Sequence, residues 1–198
     1  MDPNHKIKVL QVITSTVGGA GMHVAYLSQH LNHQKFDNRV AFTPGQHLDY
    51  RFYESGTEVV TLSMGRGINP LGLIRDYRKL VTYIRQNQID IVHTHNTLAG
   101  LVGRLAAKRV GVPVIIHMFH TFAANPSANP LRQKLFLQID RFWGIFTTYF
   151  IAGSNFISVK AIRQHIAPPE KIQVIHYAVD VQTFLDISVL PDQLLERR

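Results

Sequence analysis

The sequence contains no cysteine. That absence excludes a disulfide framework, a cysteine-based zinc site and a thiol nucleophile, and it fits a reducing compartment. Long apolar runs are missing as well: none approaches the roughly 18 residues that a membrane span requires. The opening MDPNHKIKVLQVITSTVGG has only a short apolar run, alternating with polar residues and lacking a small-residue cleavage site, so it does not read as a secretory signal. The expectation is a soluble, cytoplasmic protein. Charge is dispersed, with no run of five or more, which argues against a basic arm for nucleic acid. No G-x-S-x-G is present, so the nucleophile elbow of serine hydrolases is excluded.

What the chain does have is 198 residues with 45% hydrophobic content, enough to bury a core of useful size. Lys and Arg total 21 against 13 Asp and Glu, a formal net charge of +8. A basic surface attracts phosphate in some form, as nucleotide or anionic lipid, although many basic domains have no such partner.

Apolar segments alternate with amphipathic ones. KIKVLQVITS, NRVAFTP, TEVVTLSM, IDIVHTH, VPVIIHMF, TTYFIAGS and KIQVIHYAVD read as strands. Between them MHVAYLSQHLNH, NPLGLIRDYRKLVTYIRQNQ, LAGLVGRLAAKRVG, NPLRQKLFLQIDRFWGIF and NFISVKAIRQHI read as helices. Asn69 suits the cap of the second of these and Pro70 its first position, while Gly111 stops the third. Strands that are apolar nearly throughout and separated by helices imply an α/β fold: a doubly wound, mostly parallel, Rossmann-like sheet of about seven strands with helices on both faces. One domain is expected over residues 1–185, with 186–198 beginning a linker or tail. Ligands of such sheets bind beyond the carboxyl ends of the strands.

The residues gathered at those ends are therefore the candidates. VGGAG places Gly18, Gly19 and Gly21 between the first strand and its helix, where backbone N–H groups and the helix dipole favour an anion. The spacing is neither the dinucleotide G-x-G-x-x-G nor a P-loop, and a glycine turn also serves simple chain reversal. His93 and His95 point to one face of the fourth strand. With His117 or His120 they have the makings of a zinc site, but only Asp90, at the far end of the strand, is near enough in sequence to orient them. The expectation is no metal, with His93 structural. His120 lies just past the fifth strand near the sheet centre, placed for hydrogen bonding or proton transfer. Phe142 and Trp143, with Arg132, Lys134 and Arg141, suit either a helix covering the sheet or one resting on lipid headgroups.

Taken together, VLQVITSTVGGAGMHVAYLSQHL, the stretch from GINPLGL to VIIHMFHTF, FIAGSNFI and VIHYAVDVQTF resemble the N-terminal half of a retaining glycosyltransferase of family 4 with the two-domain GT-B architecture. The resemblance covers nearly the whole chain. It departs from the family at Tyr177-Ala178, where the usual segment has Asn-Gly. It implies transfer of a sugar from a nucleotide sugar, such as a UDP- or GDP-sugar, to a glycolipid or polysaccharide acceptor, with no cofactor and no bound metal. It also implies roles: Gly18 and Gly19 near the donor phosphates with Gly21 supporting the turn, and His120 on the transferred sugar. His95 and Asn96 would line the acceptor side, and Arg104 would bind an acceptor phosphate or pack by its stem. The family's nucleotide-binding C-terminal domain, with its E-x7-E element, has no counterpart before Arg198. The expectation is that this chain is inactive alone and works with that domain in cis or in trans, as a truncated form or as one part of a split enzyme. A lipid-linked acceptor suggests peripheral contact with the inner face of a membrane. The alternative is a non-catalytic module that docks a partner transferase or an anionic membrane. An ordinary nucleotide-binding Rossmann domain is disfavoured by the glycine spacing and by the lack of an acidic ribose partner, since Asp49 sits in a loop.

Overall fold

The apolar segments become strands β1 (Ile7–Val12), β2 (Phe36–Phe42), β3 (Glu58–Thr61), β4 (Ile91–His95), β5 (Val114–Phe119), β6 (Tyr149–Ala152) and β7 (Ile172–Val174). Between them lie helices α1 (Gly18–His30), α2 (Tyr50–Glu54), α3 (Pro70–Asn87), α4 (Thr97–Val110), α5 (Pro130–Gly144) and α6 (Asn155–Arg163). The structure, a computed structural model, describes residues 6–64, 69–120, 130–178 and 181. The expected boundary near residue 185 and the tail 186–198 lie outside the described residues, as do residues 121–125 of the loop after β5.

The strands form one sheet in the order β3-β2-β1-β4-β5-β6-β7, every neighbouring pair parallel. The expected doubly wound Rossmann-like architecture is the one observed. Side-chain alternation along the strands sorts the core into two faces. Leu10, Val12, Ala41, Val60, Val92 and Ile115 pack against Leu80 and Ile84 of α3 and Val102 and Ala106 of α4. The opposite face carries Val40 and Phe42 against Val24 and Ala25 of α1 and Phe52 of α2. Each large aliphatic side chain so buried contributes about 1.5–3 kcal/mol. Gln11 falls between Leu10 and Val12, and Asn38 is in phase with Val40 and Phe42. Both therefore lie on the α1 face, as do His93 and His95, out of phase with Val92.

The helix signals hold at their ends. Asn69 accepts a hydrogen bond from the Gly72 amide at 3.3 Å with Pro70 as the first helical residue, and Gly111 ends α4 with φ +83°. Two details differ from the sequence reading. Helix α1 starts at Gly18, inside the glycine segment. The short α2 has no periodic signal, because Phe52 is its one buried residue.

Candidate functional site

Sheet order reverses at β1: the chain runs outward through β2 and β3, then returns to β4 on the other side. In open α/β sheets the crevice beyond the strand ends at this reversal is where ligands bind. The three glycines serve it in different ways. Gly18 has φ +73°, a backbone conformation that side chains rarely tolerate. Gly21 lies under the preceding loop, where an added Cβ would sit 1.8 Å from the Thr16 carbonyl oxygen. Gly19 is demanded by neither constraint, since nothing lies within 4 Å of the place its Cβ would take. The loop is tied down from below. Thr16 Oγ1 donates to Asp49 Oδ1 at 2.6 Å, and the Gly45 and Gln46 amides donate to Asp49 Oδ2 at 2.7 and 2.9 Å. Asp49, poorly placed for a ribose, is thus the anchor of the glycine loop. The α1 N-terminus has no side-chain cap and no acid in its first turn, whereas α3 and α6 are capped by Asn69 and Ser154. Among the described residues no side chain caps its amides, and the helix dipole favours an anion there.

A wall of imidazoles stands beside this N-terminus. The His23 ring, one turn beyond Gly19 on α1, has its centroid 5.4 Å from that of His120 and 5.5 Å from Tyr177. His95 Nδ1 is 2.9 Å from His120 Nε2, and His95 Nε2 is 2.8 Å from Gln11 Oε1. His120 Nδ1 is 3.0 Å from the Tyr177 hydroxyl, and the two rings stack with a 21° interplanar angle. The His93 and His95 rings lie 4.2 Å apart, on one face as alternation requires. Burial disfavours the charged form throughout. It pushes His93 down to about 3 and His120 to about 4, with smaller contributions from neighbouring histidines, and holds His95 and His117 well below the ordinary histidine value. These rings are neutral near pH 7.

Four buried side-chain polar atoms among the described residues lack a hydrogen-bond partner: Thr14 Oγ1, Arg51 Nε, His93 Nε2 and Asn96 Oδ1. Three of them sit on the adjacent strands β1 and β4 or just past their carboxyl ends. Asn96 also has φ 64° and ψ 157°, a backbone region used almost only by glycine. Unpaired groups and backbone strain concentrate where a ligand completes the bonding.

Two of the residues singled out in the sequence are in different surroundings from those expected. Arg104 is fully buried; its Nη2 donates to Asp140 Oδ1 at 3.0 Å and its Nε to the Gly100 carbonyl at 2.8 Å. The guanidinium joins α4 to α5 and has no surface from which to hold an acceptor phosphate. His95 has no exposed atom, so it reaches the crevice only through His120 and does not itself face an acceptor. His117 belongs to the other face of the sheet, bonded to Thr94 Oγ1 at 2.8 Å and packed where Gly100 leaves room. It therefore does not join His93 and His95. Among the described residues no group of three or more His, Asp or Glu is arranged to hold a metal ion.

Three residues of the wall escape a reading of the sequence. Gln11 is a polar residue set between the buried apolar Leu10 and Val12, His23 lies one helical turn past the glycines, and Tyr177 stands out only as a departure from Asn-Gly. The first two carry a usable local signal; the contact of Tyr177 with His120 spans 57 residues and carries none. A separate cavity of about 550 Å³, lined by Lys6, Lys8, Phe36, Asp37 and Glu58, opens at the opposite end of β1–β3, and its charges are mixed in sign.

The chain is similar to known proteins in sequence and in fold. Over 117 residues the chain is 31% identical to the UDP-Gal:alpha-D-GlcNAc-diphosphoundecaprenol alpha-1,3-galactosyltransferase of Escherichia coli, covering 58% of this chain and 30% of that protein. It is 32% identical over 107 residues to the D-inositol 3-phosphate glycosyltransferase of Streptomyces coelicolor, covering 50% of this chain and 23% of that one. The crystal structure of Anabaena HepE in complex with UDP and glucose shares the fold at TM-score 0.74 and 17% identity, covering 96% of this chain and 50% of that one. The chain thus spans about half of a solved neighbour, and its matches take in less than a third of the curated relatives. Residues 17–183 match the Glycosyltransferase Family 4 profile, and the chain belongs to that family as an N-terminal domain of the GT-B type.

Proposed function

We propose that this chain forms the acceptor-side lobe of a retaining glycosyltransferase. The enzyme would move a sugar from a UDP- or GDP-sugar to a lipid-linked or polysaccharide acceptor. The observation that carries the reading is the convergence of two features at the β1/β4 crevice. One is the uncapped N-terminus of α1, with Gly18 and the unobstructed Gly19; the other is the neutral His120, joined to α1 through His23. The amides suit the developing charge of a departing nucleotide phosphate, and fixed dipoles aimed at such charge lower the barrier to transfer. Gly21 keeps the helix close under Thr16, and Asn96 offers its unpaired oxygen from the other strand end. A UDP-sugar donor and a diphospholipid-linked acceptor both appear in the name of the Escherichia coli relative.

These groups form one wall, and positioning two reactants needs a second. The isolated chain is therefore expected to be inactive until a nucleotide-binding lobe faces it. The test is transfer from UDP-glucose, UDP-galactose and GDP-mannose to lipid-linked acceptors, by this chain alone and by a protein carrying both lobes. Turnover by the isolated chain would overturn the one-wall part of the proposal. A two-lobed protein that neither binds nor turns over any nucleotide sugar would overturn the whole.

Contact with a membrane surface is favoured by a specific feature of α5. Leu131, Leu135, Phe142 and Ile145 are exposed along it and just past its end, beside the exposed Lys134 and the half-buried Arg141. An apolar stripe flanked by cations suits an anionic headgroup layer. The Arg132 side chain lies outside the described residues. No helix of the described residues is long and apolar enough to cross a membrane.

A further inference from the structure

A single hydrogen-bond chain runs from the interior of the protein to His120, and its direction is fixed at every step. It begins at the Val24 carbonyl, which can only accept, so Ser28 Oγ–H donates to it at 2.8 Å. With its one proton used, Ser28 Oγ must accept, and Asn38 Nδ2 donates to it at 2.9 Å. That fixes the orientation of the Asn38 amide, leaving Oδ1 to accept from Gln11 Nε2 at 3.2 Å. The Gln11 amide is thereby oriented too, and its Oε1 meets His95 Nε2 at 2.8 Å as a pure acceptor. His95 must carry its proton on Nε2.

The neutral state of both rings completes the sequence. With one proton, on Nε2, His95 has a lone pair on Nδ1, and this accepts from His120 Nε2–H at 2.9 Å. His120 then has a lone pair on Nδ1, and the Tyr177 hydroxyl donates to it at 3.0 Å. Ser28, Asn38, Gln11 and His95 are all buried, so water does not compete for these bonds.

We infer that Gln11 is a positioning residue for the site: anchored by Asn38 and Ser28, it sets the tautomer of His95 and, through it, that of His120. The lone pair of His120 Nδ1 consequently points outward, where the partly exposed Tyr177 now occupies it. A group that takes the place of the Tyr177 hydroxyl there must be a donor. A sugar hydroxyl qualifies, and a phosphate or carboxylate oxygen, being an acceptor, does not. This hydroxyl requirement rests on the transferase reading above.

Ring-nitrogen NMR of the ¹⁵N-labelled, ligand-free chain reads the tautomers directly. Both His95 and His120 are expected as single Nε2–H tautomers, and a proton on Nδ1 of either ring would overturn the inference. Tyr177→Phe removes the outer bond without disturbing the interior, so the His120 tautomer should persist; a switch to Nδ1–H would show that Tyr177, not Gln11, sets it. Gln11→Leu should abolish the single tautomer at His95 and then at His120, with unchanged tautomers counting against the relay. Should that variant fail to fold, the wild-type and Tyr177→Phe spectra still decide. No ligand is present, so these results stand apart from the transferase reading, whose failure would appear as intact tautomers in a two-lobed protein that binds no UDP-glucose. If UDP-glucose binds and the Nδ1 resonance of His120 does not move, the hydroxyl assignment is wrong.

Discussion

Arg104 and Asp140 form an ion pair at 3.0 Å with both residues buried, holding α4 against α5. Burial pushes the Asp140 carboxyl up and the Arg104 guanidinium down, while their mutual attraction opposes both shifts. Removing one partner leaves the other as an uncompensated buried charge. Arg104→Ala should cost about 3–5 kcal/mol in chemical denaturation. Arg104→Met fills the volume but still leaves Asp140 unpaired, so the double variant Arg104→Met with Asp140→Leu should recover much of the loss. A stability change in Arg104→Ala below about 1 kcal/mol, the ceiling for an exposed pair, would show that the pair is not buried in solution.

Gly21 and Gly19 should behave differently on substitution by alanine. Gly21→Ala forces the Thr16 carbonyl away and should disturb loop and helix together, visible as lowered thermal stability. Gly19→Ala meets no atom and replaces glycine inside a helix, so the protein should gain about 0.5–1 kcal/mol. If the α1 amides receive a ligand phosphate, the same methyl group should weaken nucleotide-sugar use by a two-lobed protein. Gly19→Ala with undiminished turnover would remove that role.

Acid should unfold the protein early. His93, His95 and His117 are buried and held below the ordinary histidine value of about 6.5, so in this range the unfolded state binds more protons than the folded one. Their contribution is fully present above about pH 6.5 and is lost as pH falls towards the depressed folded values, about 3 for His93. Each such ring can cost up to about 1.4 kcal/mol per pH unit in that window. Urea denaturation at pH 7, 6 and 5 checks this, and a flat stability over that range would contradict it.

Binding to vesicles containing anionic lipid should depend on α5. Phe142→Ser with Ile145→Ser changes two exposed residues, so it should leave the fold intact and reduce co-sedimentation. Added salt should weaken the remaining electrostatic part. Equal binding of variant and wild type would place any lipid contact elsewhere.

The layout of strands and helices was legible because it rests on local periodicity. The IVHTH strand showed its two imidazoles on one face from alternation alone, and Asn69-Pro70 announced the start of α3. What could not be read was which polar side chain would be covered. Arg104 stands in the middle of α4, and nothing near it in sequence signals that Asp140, 36 positions away, will be its buried partner. Likewise His95 looked like a strand-end residue open to ligand, but His120 and Gln11, brought in from neighbouring strands, close over it. Gln11 itself carries the clearest local hint, because an amide between the buried Leu10 and Val12 must find partners or destabilise the fold.

Asn96 makes the cost of such a site concrete. Its φ of 64° and ψ of 157° would be relaxed by glycine, its side chain does not cap α4, and its Oδ1 has no partner among the described residues. An asparagine there is inferior as scaffolding on every count. Asn96→Gly should therefore make the empty domain sturdier, by about 1–3 kcal/mol of relieved strain, while blunting whatever the amide oxygen greets when the cleft fills: a protein improved as an object and impaired as a tool.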